Sequence, residues 1–280
     1  FSMSNTGLTS AWIQAFTICD GKLFAGSGDE GVFMSANAGA SWNDVSDGLG
    51  SLNITALASD SVNIYAGTSD SGVYVSNDFG GSWVVINTGL SSINISCLQT
   101  YNNVLYAGTK NNGLFRSDEG ANWQQVFNGI PDQANIRCIH NYDTKLFIGT
   151  GDGEIFSSSD DGNSWIEVTN DLLGSPVLSL WVFNDFLYAG MNAGGVWKFP
   201  LSLISKIDKQ EAGNLRLYPN PSSNMITVET NETCKDGILT LYNLLGQVIF
   251  QKEIRDNKTQ FDISTLKSGN YLIKFVSKDQ

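Results

Sequence analysis

The sequence predicts an all-β chain: a five-bladed β-propeller, its last blade closed by the N-terminal strand, followed by a small immunoglobulin-like β-sandwich. Three observations carry this. The tetrapeptides Leu23-Phe24-Ala25-Gly26, Ile64-Tyr65-Ala66-Gly67, Leu105-Tyr106-Ala107-Gly108, Leu146-Phe147-Ile148-Gly149 and Leu187-Tyr188-Ala189-Gly190 recur every 41 residues. A fixed period of about 40–45 residues made of short strand-like runs is what four-stranded blades produce. The repeats stop near Leu203, and a different alternating pattern begins near Leu215. Charge divides at the same place, with 6 Lys/Arg against 19 Asp/Glu in residues 1–205 and 10 against 9 in residues 206–280. The expected domains are a propeller over 1–203, a polar linker over 204–214 and a sandwich over 215–280.

The second repeat shows how one blade is read. Ile54-Thr55-Ala56-Leu57-Ala58 is the inner strand. A large apolar column (Ile13, Ile54, Ile95, Ile136, Val177) precedes a small one (Ala15, Ala56, Cys97, Cys138, Ser179) by two positions. A free cysteine packs as a small hydrophobe, so Cys97 and Cys138 are read as packing residues. Asn63 to Thr68 is the second strand, and its glycine column (Gly26, Gly67, Gly108, Gly149, Gly190) implies a close backbone approach or a bulge. Gly72 to Ser76 is the third strand and Ser82 to Ile86 the outer one.

The turn between the third and fourth strands carries the sharpest motif. Ser76-x-Asp78-x-Gly80-x-Ser82-Trp83 and Ser158-x-Asp160-x-Gly162-x-Ser164-Trp165 share the pattern S-x-D-x-G-x-[ST]-W. The copy ending at Trp42 has Asn37 for Asp, and the copy ending at Trp123 is one residue short. On these residues the chain resembles the Asp-box, or bacterial neuraminidase repeat, family of propellers. The physical role of the motif is local: the carboxylate accepts turn N–H groups, glycine takes a conformation that other residues resist, and the indole covers the hairpin. The resemblance implies that these turns sit at the rim, away from any pocket. The fifth repeat lacks the motif. Aligning Gly7-Leu8 with Gly48-Leu49 puts Phe1 in the tryptophan column, so residues 1–8 are expected to supply the outer strand of that blade.

In the C-terminal part, Leu215 to Pro221, Ile238 to Gln247, Phe261 to Leu266 and Ser268 to Phe275 read as short strands split by Asn, Gly and Asp turns. Their order resembles the C-terminal sorting domain of the type IX secretion system of Bacteroidota. The resemblance implies export across the outer membrane, with the type IX machinery as partner, and a secreted or surface-attached protein.

Several functions are excluded or disfavoured. An acidic propeller repels phosphate backbones, so nucleic acid is not an expected partner, and no apolar stretch reaches the roughly 20 residues of a membrane span. Sialidases share the Asp-box fold and, by that resemblance, need three arginines on a carboxylate. The propeller has Arg116 and Arg137 alone, in different columns. His140 is the single histidine, which supports neither a catalytic triad nor a multi-histidine metal site. No catalytic residues and no metal or cofactor are therefore assigned, although calcium is compatible with the acids described next.

The face opposite the Asp-box turns is where a ligand is expected. Asp29, Asp70, Asn111 and Asp152 fall in one column there, flanked by Glu30 and Glu154, with Trp12 in a neighbouring column that also holds Asn53, Asn94 and Asn135. Such a polar, aromatic-edged crown suits sugar hydroxyls, a peptide or a cation. The expected function is a monomeric, non-catalytic binding module for a glycan or an extracellular protein. The alternative is an extracellular glycoside hydrolase of the xyloglucan-cleaving propeller kind, because a carboxylate pair is defined by spacing in three dimensions.

Overall fold

The computed structural model describes residues 4–118, 122–168, 174–204, 216–218, 224–229, 237–243, 248–256, 258–267, 269 and 271–277. These form two compact units, Phe1–Ile207 and Asp208–Gln280.

In the first unit each repeat folds as one antiparallel sheet, called a blade below. Blade 1 is β1 (Ile13–Cys19), β2 (Lys22–Ser27), β3 (Val32–Ser35) and β4 (Asn43–Asp44). Blade 2 is β5 (Ile54–Ser59), β6 (Ile64–Thr68), β7 (Val73–Ser76) and β8 (Val84–Val85), and blade 3 is β9 (Ile95–Tyr101), β10 (Val104–Thr109), β11 (Leu114–Asp118) and β12 (Gln124–Val126). Blade 4 is β13 (Ile136–Tyr142), β14 (Lys145–Thr150), β15 (Ile155–Ser158) and β16 (Ile166–Glu167). Blade 5 has β17 (Val177–Phe183), β18 (Phe186–Met191) and β19 (Val196–Pro200), followed by one helical turn, α1 (Leu201–Ile204). Successive inner strands pack side by side, β1 on β5, β5 on β9, β9 on β13 and β13 on β17.

The glycine column makes these joints. A Cβ on Gly26, Gly67, Gly108 or Gly149 would lie 2.6, 2.6, 2.7 or 2.5 Å from a branch methyl of Ile54, Ile95, Ile136 or Val177 in the next blade. A bulge sits opposite each of these glycines, for instance between Ile54 and Ala56. Close approach and bulge are thus both present, and the bulge lets a twisted inner strand lean its apolar residue over the glycine. All four receiving residues are fully buried.

The hairpin turns are built by side-chain hydrogen bonds. Ser76 Oγ donates to Asp78 Oδ1 at 2.7 Å and accepts the Gly80 N–H at 2.8 Å, while the Ser82 N–H and Oγ donate to the two Asp78 oxygens at 2.9 and 2.8 Å. Asn37 reproduces this in blade 1, except that its Nδ2 donates to Ser41 Oγ where a carboxylate would accept. Gly39, Gly80 and Gly162 have φ of +86°, +87° and +71°, a region in which a Cβ is strained. The following indoles Trp42, Trp83, Trp123 and Trp165 are buried. The first three donate Nε1–H to carbonyls of the preceding outer segment, Ser4, Val45 and Ile86. Trp165 donates to Gly162 in its own turn.

The outer strand expected from residues 1–8 for blade 5 falls at residues 1–3, outside the described residues; among the described residues β19 pairs with β18 alone, and β17 makes no contact with β1 comparable to the other joints. Ser4 to Leu8 cap blade 1, with the Thr6 carbonyl accepting the Trp42 N–H at 2.8 Å, as Thr88 accepts that of Trp123. One expectation is corrected, the linker start. Ile204 is fully buried in the core of blade 5 with Val177 and Leu187, so the first unit extends through α1.

The second unit contains two three-stranded sheets. One is ordered β20 (Arg216–Tyr218), β21 (Met225–Glu229) and β24 (Lys258–Asp262); the other is β23 (Val248–Ile254), β22 (Gly237–Tyr242) and β25 (Leu272–Ser277). Val228 and Phe261 from the first sheet and Leu239 and Ile254 from the second share one buried core.

Candidate functional site

The crown positions lie together on one edge of the blades. In each blade a backbone hydrogen bond ties the loop after the second strand to the loop entering the inner strand. Gly28 N–H donates to Trp12, Ser69 to Asn53, Lys110 to Asn94, Gly151 to Asn135 and Asn192 to Pro176, over 2.7 to 3.2 Å. The Asp29 column therefore sits beside the Trp12 column in every blade, on the edge opposite the hairpin turns. Asp29, Asp70, Asn111 and Asp152 are all exposed. Ser10 Oγ donates to Asp29 and Thr9 Oγ1 to Glu30, so blade 1 holds its two acids with local hydroxyls. Ser71 Oγ donates to Asp70 at 3.2 Å. The Trp12 ring is 60% exposed and lies over Gly28, where a Cβ would meet it at 2.8 Å. Asn135 Oδ1 is buried without a hydrogen-bond partner, beside Gly151.

Glu154 departs from the rest of the set. It is half-buried, and its N–H donates to Thr150 Oγ1 at 3.0 Å. Burial, and then the charge of Glu154, push the Glu167 carboxyl above its usual range. Glu167 is exposed and pairs across the strands with Phe156, two residues after Glu154. Among the described residues, no group of three or more His, Cys, Asp and Glu side chains comes together as a metal site would require.

Sequence reasoning missed a concavity at the opposite rim. About 620 Å³ of open space lies between the outer strand of blade 3 and the turn of blade 4, lined by Arg116, Gln125, Phe127, Asn128 and Asn163 among others. Arg116 Nη1 donates to the Asp161 carbonyl at 3.1 Å and to Asn163 Oδ1 at 2.6 Å, which fixes the guanidinium across the joint. No repeated column marked it, and the shortened third turn beside it lies in part outside the described residues.

His140 and the cysteines serve packing. His140 Nε2 accepts the Val182 N–H of blade 5 at 3.3 Å, and its ring lies 4.9 Å from that of Trp181. Burial holds its pKa below the ordinary value, consistent with a neutral acceptor. Cys19, Cys97 and Cys138 are free thiols, and burial pushes Cys138 up to about 12, which makes it inert as a nucleophile at neutral pH. Cys234 lies outside the described residues.

Residues 78–171 match the DUF6242 β-propeller domain family, and residues 216–280 match the secretion system C-terminal sorting domain family. No curated protein matches the chain. Among solved structures, PorZ, an essential bacterial surface component of the type IX secretion system of Porphyromonas gingivalis, is 16% identical with a TM-score of 0.55, over 100% of this chain and 45% of that one. The GH74 xyloglucanase of Xanthomonas campestris is 17% identical with a TM-score of 0.54, over 93% and 46%. The computationally designed Ika8 protein is 18% identical with a TM-score of 0.52, over 95% and 81%. The chain thus spans under half the length of the two natural proteins, and at these identities the likeness is one of fold. Among the described residues no helix is long and apolar enough to cross a membrane. The tail is a type IX sorting domain, so the secretion machinery is a partner of this chain and its destination is the outside of the cell or its outer surface.

Proposed function

We propose that this protein is an exported propeller of the Asp-box kind that binds a glycan or an extracellular protein without catalysis. The ligand surface is the crown edge formed by Asp29, Asp70, Asn111 and Asp152, with Glu30, Glu154 and Trp12 beside them. The observation that supports this reading is the repeated loop-to-loop hydrogen bond, which brings one exposed carboxylate or amide per blade to the same edge in blades 1 to 4. Carboxylates and carboxamides next to an exposed indole offer hydrogen bonds to hydroxyls and an apolar face for a sugar ring or a peptide side chain. The hairpin turns spend their polar groups on their own backbone and have little left for a ligand.

The test is binding of plant and bacterial surface glycans, and of calcium, to the wild type and to a variant combining Asp29→Ala, Asp70→Ala and Asp152→Ala. At least a tenfold loss of affinity is expected on the crown variant with melting unchanged. A ligand bound equally well by both proteins refutes the crown as the site. A second reading is hydrolysis of a glycan, for which Glu154 and Glu167 are the candidate carboxyls, since strand pairing of Phe156 with Glu167 sets them on neighbouring strands of blade 4. Release of reducing ends from xyloglucan, abolished by Glu167→Gln, would replace the first reading with this one.

A further inference from the structure

The outer seam between blades 3 and 4 differs from the two before it. Trp83 and Trp123 donate Nε1–H to Val45 and Ile86, each three residues before a positive-φ glycine, Gly48 or Gly89. Gly129, with φ +92°, fills that glycine position on blade 3, which makes Val126 the corresponding residue. Trp165 donates instead to Gly162 in its own turn, at 3.1 Å, so its indole does not tie β12 to blade 4. The next position changes as well. Ser46 Oγ and Asn87 Oδ1 accept the N–H groups of Val32 and Val73, at the start of the third strand, at 3.0 and 2.8 Å. Phe127 stands there on blade 3, with no side-chain acceptor for such a bond, and is 59% exposed.

Along this seam runs the groove of about 620 Å³, within the range of about 300–1,000 Å³ typical of small-molecule sites. Its polar groups are held from behind. Arg116 Nη1 is engaged by the Asp161 carbonyl and Asn163 Oδ1, and Nη2 lies 3.5 Å from Asp118 Oδ1. Arg116 and Asp118 are the charged side chains of the lining, so the groove carries no net charge. Gln125 Nε2 donates to the Asn112 and Asp132 carbonyls at 2.7 and 3.2 Å, and Asn128 Nδ2 to the Asn163 carbonyl at 3.4 Å. Both amides are thereby oriented, and their oxygens remain as acceptors.

We infer that this groove binds a short neutral oligosaccharide, at a site separate from the crown and not dependent on the crown reading. A carboxamide offers both a donor and acceptors, the pairing that a sugar hydroxyl requires. The exposed Phe127 ring supplies an apolar face for the C–H face of a pyranose. A guanidinium already compensated by a carboxylate gives no excess charge to select uronic acids, phosphates or amino sugars. A folded protein partner would need an interface above about 1,000 Å² with an apolar core, and the apolar side chains of this lining are Val126, which is buried, and Phe127.

The experiment is saturation-transfer difference NMR with calorimetry on the 280-residue protein. Neutral probes are short cello-, xylo-, manno- and xyloglucan oligosaccharides, and charged probes are oligogalacturonate and chitosan oligomers. The variants are Phe127→Ala, Phe127→Trp and the crown variant combining Asp29→Ala, Asp70→Ala and Asp152→Ala. All four positions are exposed, so folding is expected to be intact, which unchanged melting would verify. The wild type is expected to bind at least one neutral probe. Phe127→Ala should weaken that binding about tenfold, near the upper end for one aromatic contact, while Phe127→Trp and the crown variant bind as the wild type does. A wild type that binds no neutral probe overturns the inference, as do charged probes held more tightly than neutral ones. So does a neutral probe held equally well by Phe127→Ala. If that probe is also lost by the crown variant, the sugar sits at the crown, and the crown reading stands while this one falls.

Discussion

The glycine sockets permit a quantitative test, because the same substitution meets a neighbour in blade 2 and none in blade 5. In Gly67→Ala the new Cβ would lie 2.6 Å from Ile95 Cγ2, 3.1 Å from Ile95 Cβ and 3.2 Å from Leu98 Cδ1. Ile95 is β-branched and fully buried, so it has no free rotamer into which to retreat. Overpacking of this kind costs about 1–3 kcal/mol. The loss of glycine freedom in the unfolded chain offsets about 0.4–1 kcal/mol of that, since φ at Gly67 lies outside the positive region. The expected net destabilisation is about 1–2 kcal/mol, or roughly 2–8 °C in Tm for a unit of this size. Gly190→Ala presses only on the hydroxyl of Ser179, at 2.5 Å, and a rotation of that side chain relieves it. Its expected cost in a dilute, monomeric sample is under about 0.5 kcal/mol. Thermal melts followed by near-ultraviolet circular dichroism, with matched urea titrations, measure both. Equal losses at the two positions, or no loss at Gly67, would refute the account of the joint as a knob seated on a glycine.

Three further outcomes are expected. Trp83→Ala removes a buried indole and its 2.7 Å bond to the Val45 carbonyl, and should cost about 3–5 kcal/mol in urea titrations without altering any ligand affinity. Burial alone would raise the Asp160 carboxyl, but hydrogen bonds from Ser164 and Ser158 hold it below the usual range. Its stabilisation is therefore present above about pH 4 and is lost as pH falls through the folded value. Asp160→Asn should be close to neutral at pH 7, because Asn37 Oδ1 accepts from Ser35 and Ser41 in the same turn of blade 1, and Asp160→Ala clearly worse; equal losses would show that turn geometry does not depend on the acceptor oxygens. His140 also makes stability fall with pH, over a higher range. Its folded pKa is depressed by burial, so stability should be flat above about pH 6.5 and decline as pH falls below it. His140→Gln should remove that decline, as read from melting temperatures between pH 5 and 8.

Much of the blade was legible because its determinants are periodic. The glycine column, the large residue of the inner strand and the tryptophan of the turn each recur at one spacing, and each proves to be a contact made once per joint. Periodicity does not reach closure. Placing the segment before blade 1 by alignment captured a true local feature, since the Thr6 carbonyl accepts the Trp42 N–H as Thr88 and Asn128 accept those of Trp123 and Trp165. Whether the array closes depends on the angle accumulated over the joints, and no column encodes that angle. The groove at Arg116 was not read because its lining residues, Arg116, Phe127, Asn128 and Asn163, follow no repeated column and come from two different blades.

The crown differs from the joints in a way that bears on function. Joint positions admit little change, as the residues facing Gly26, Gly67, Gly108 and Gly149 are Ile, Ile, Ile and Val and all are fully buried. The crown column runs Asp29, Asp70, Asn111, Asp152 and Ala193, all exposed, and its loops are held by backbone hydrogen bonds that do not depend on those side chains. Substitutions there should leave the fold almost untouched, within about 0.5 kcal/mol. On the reading proposed above, recognition is set at the crown while the sockets hold the array together, the division of labour expected when a rigid scaffold carries variable loops.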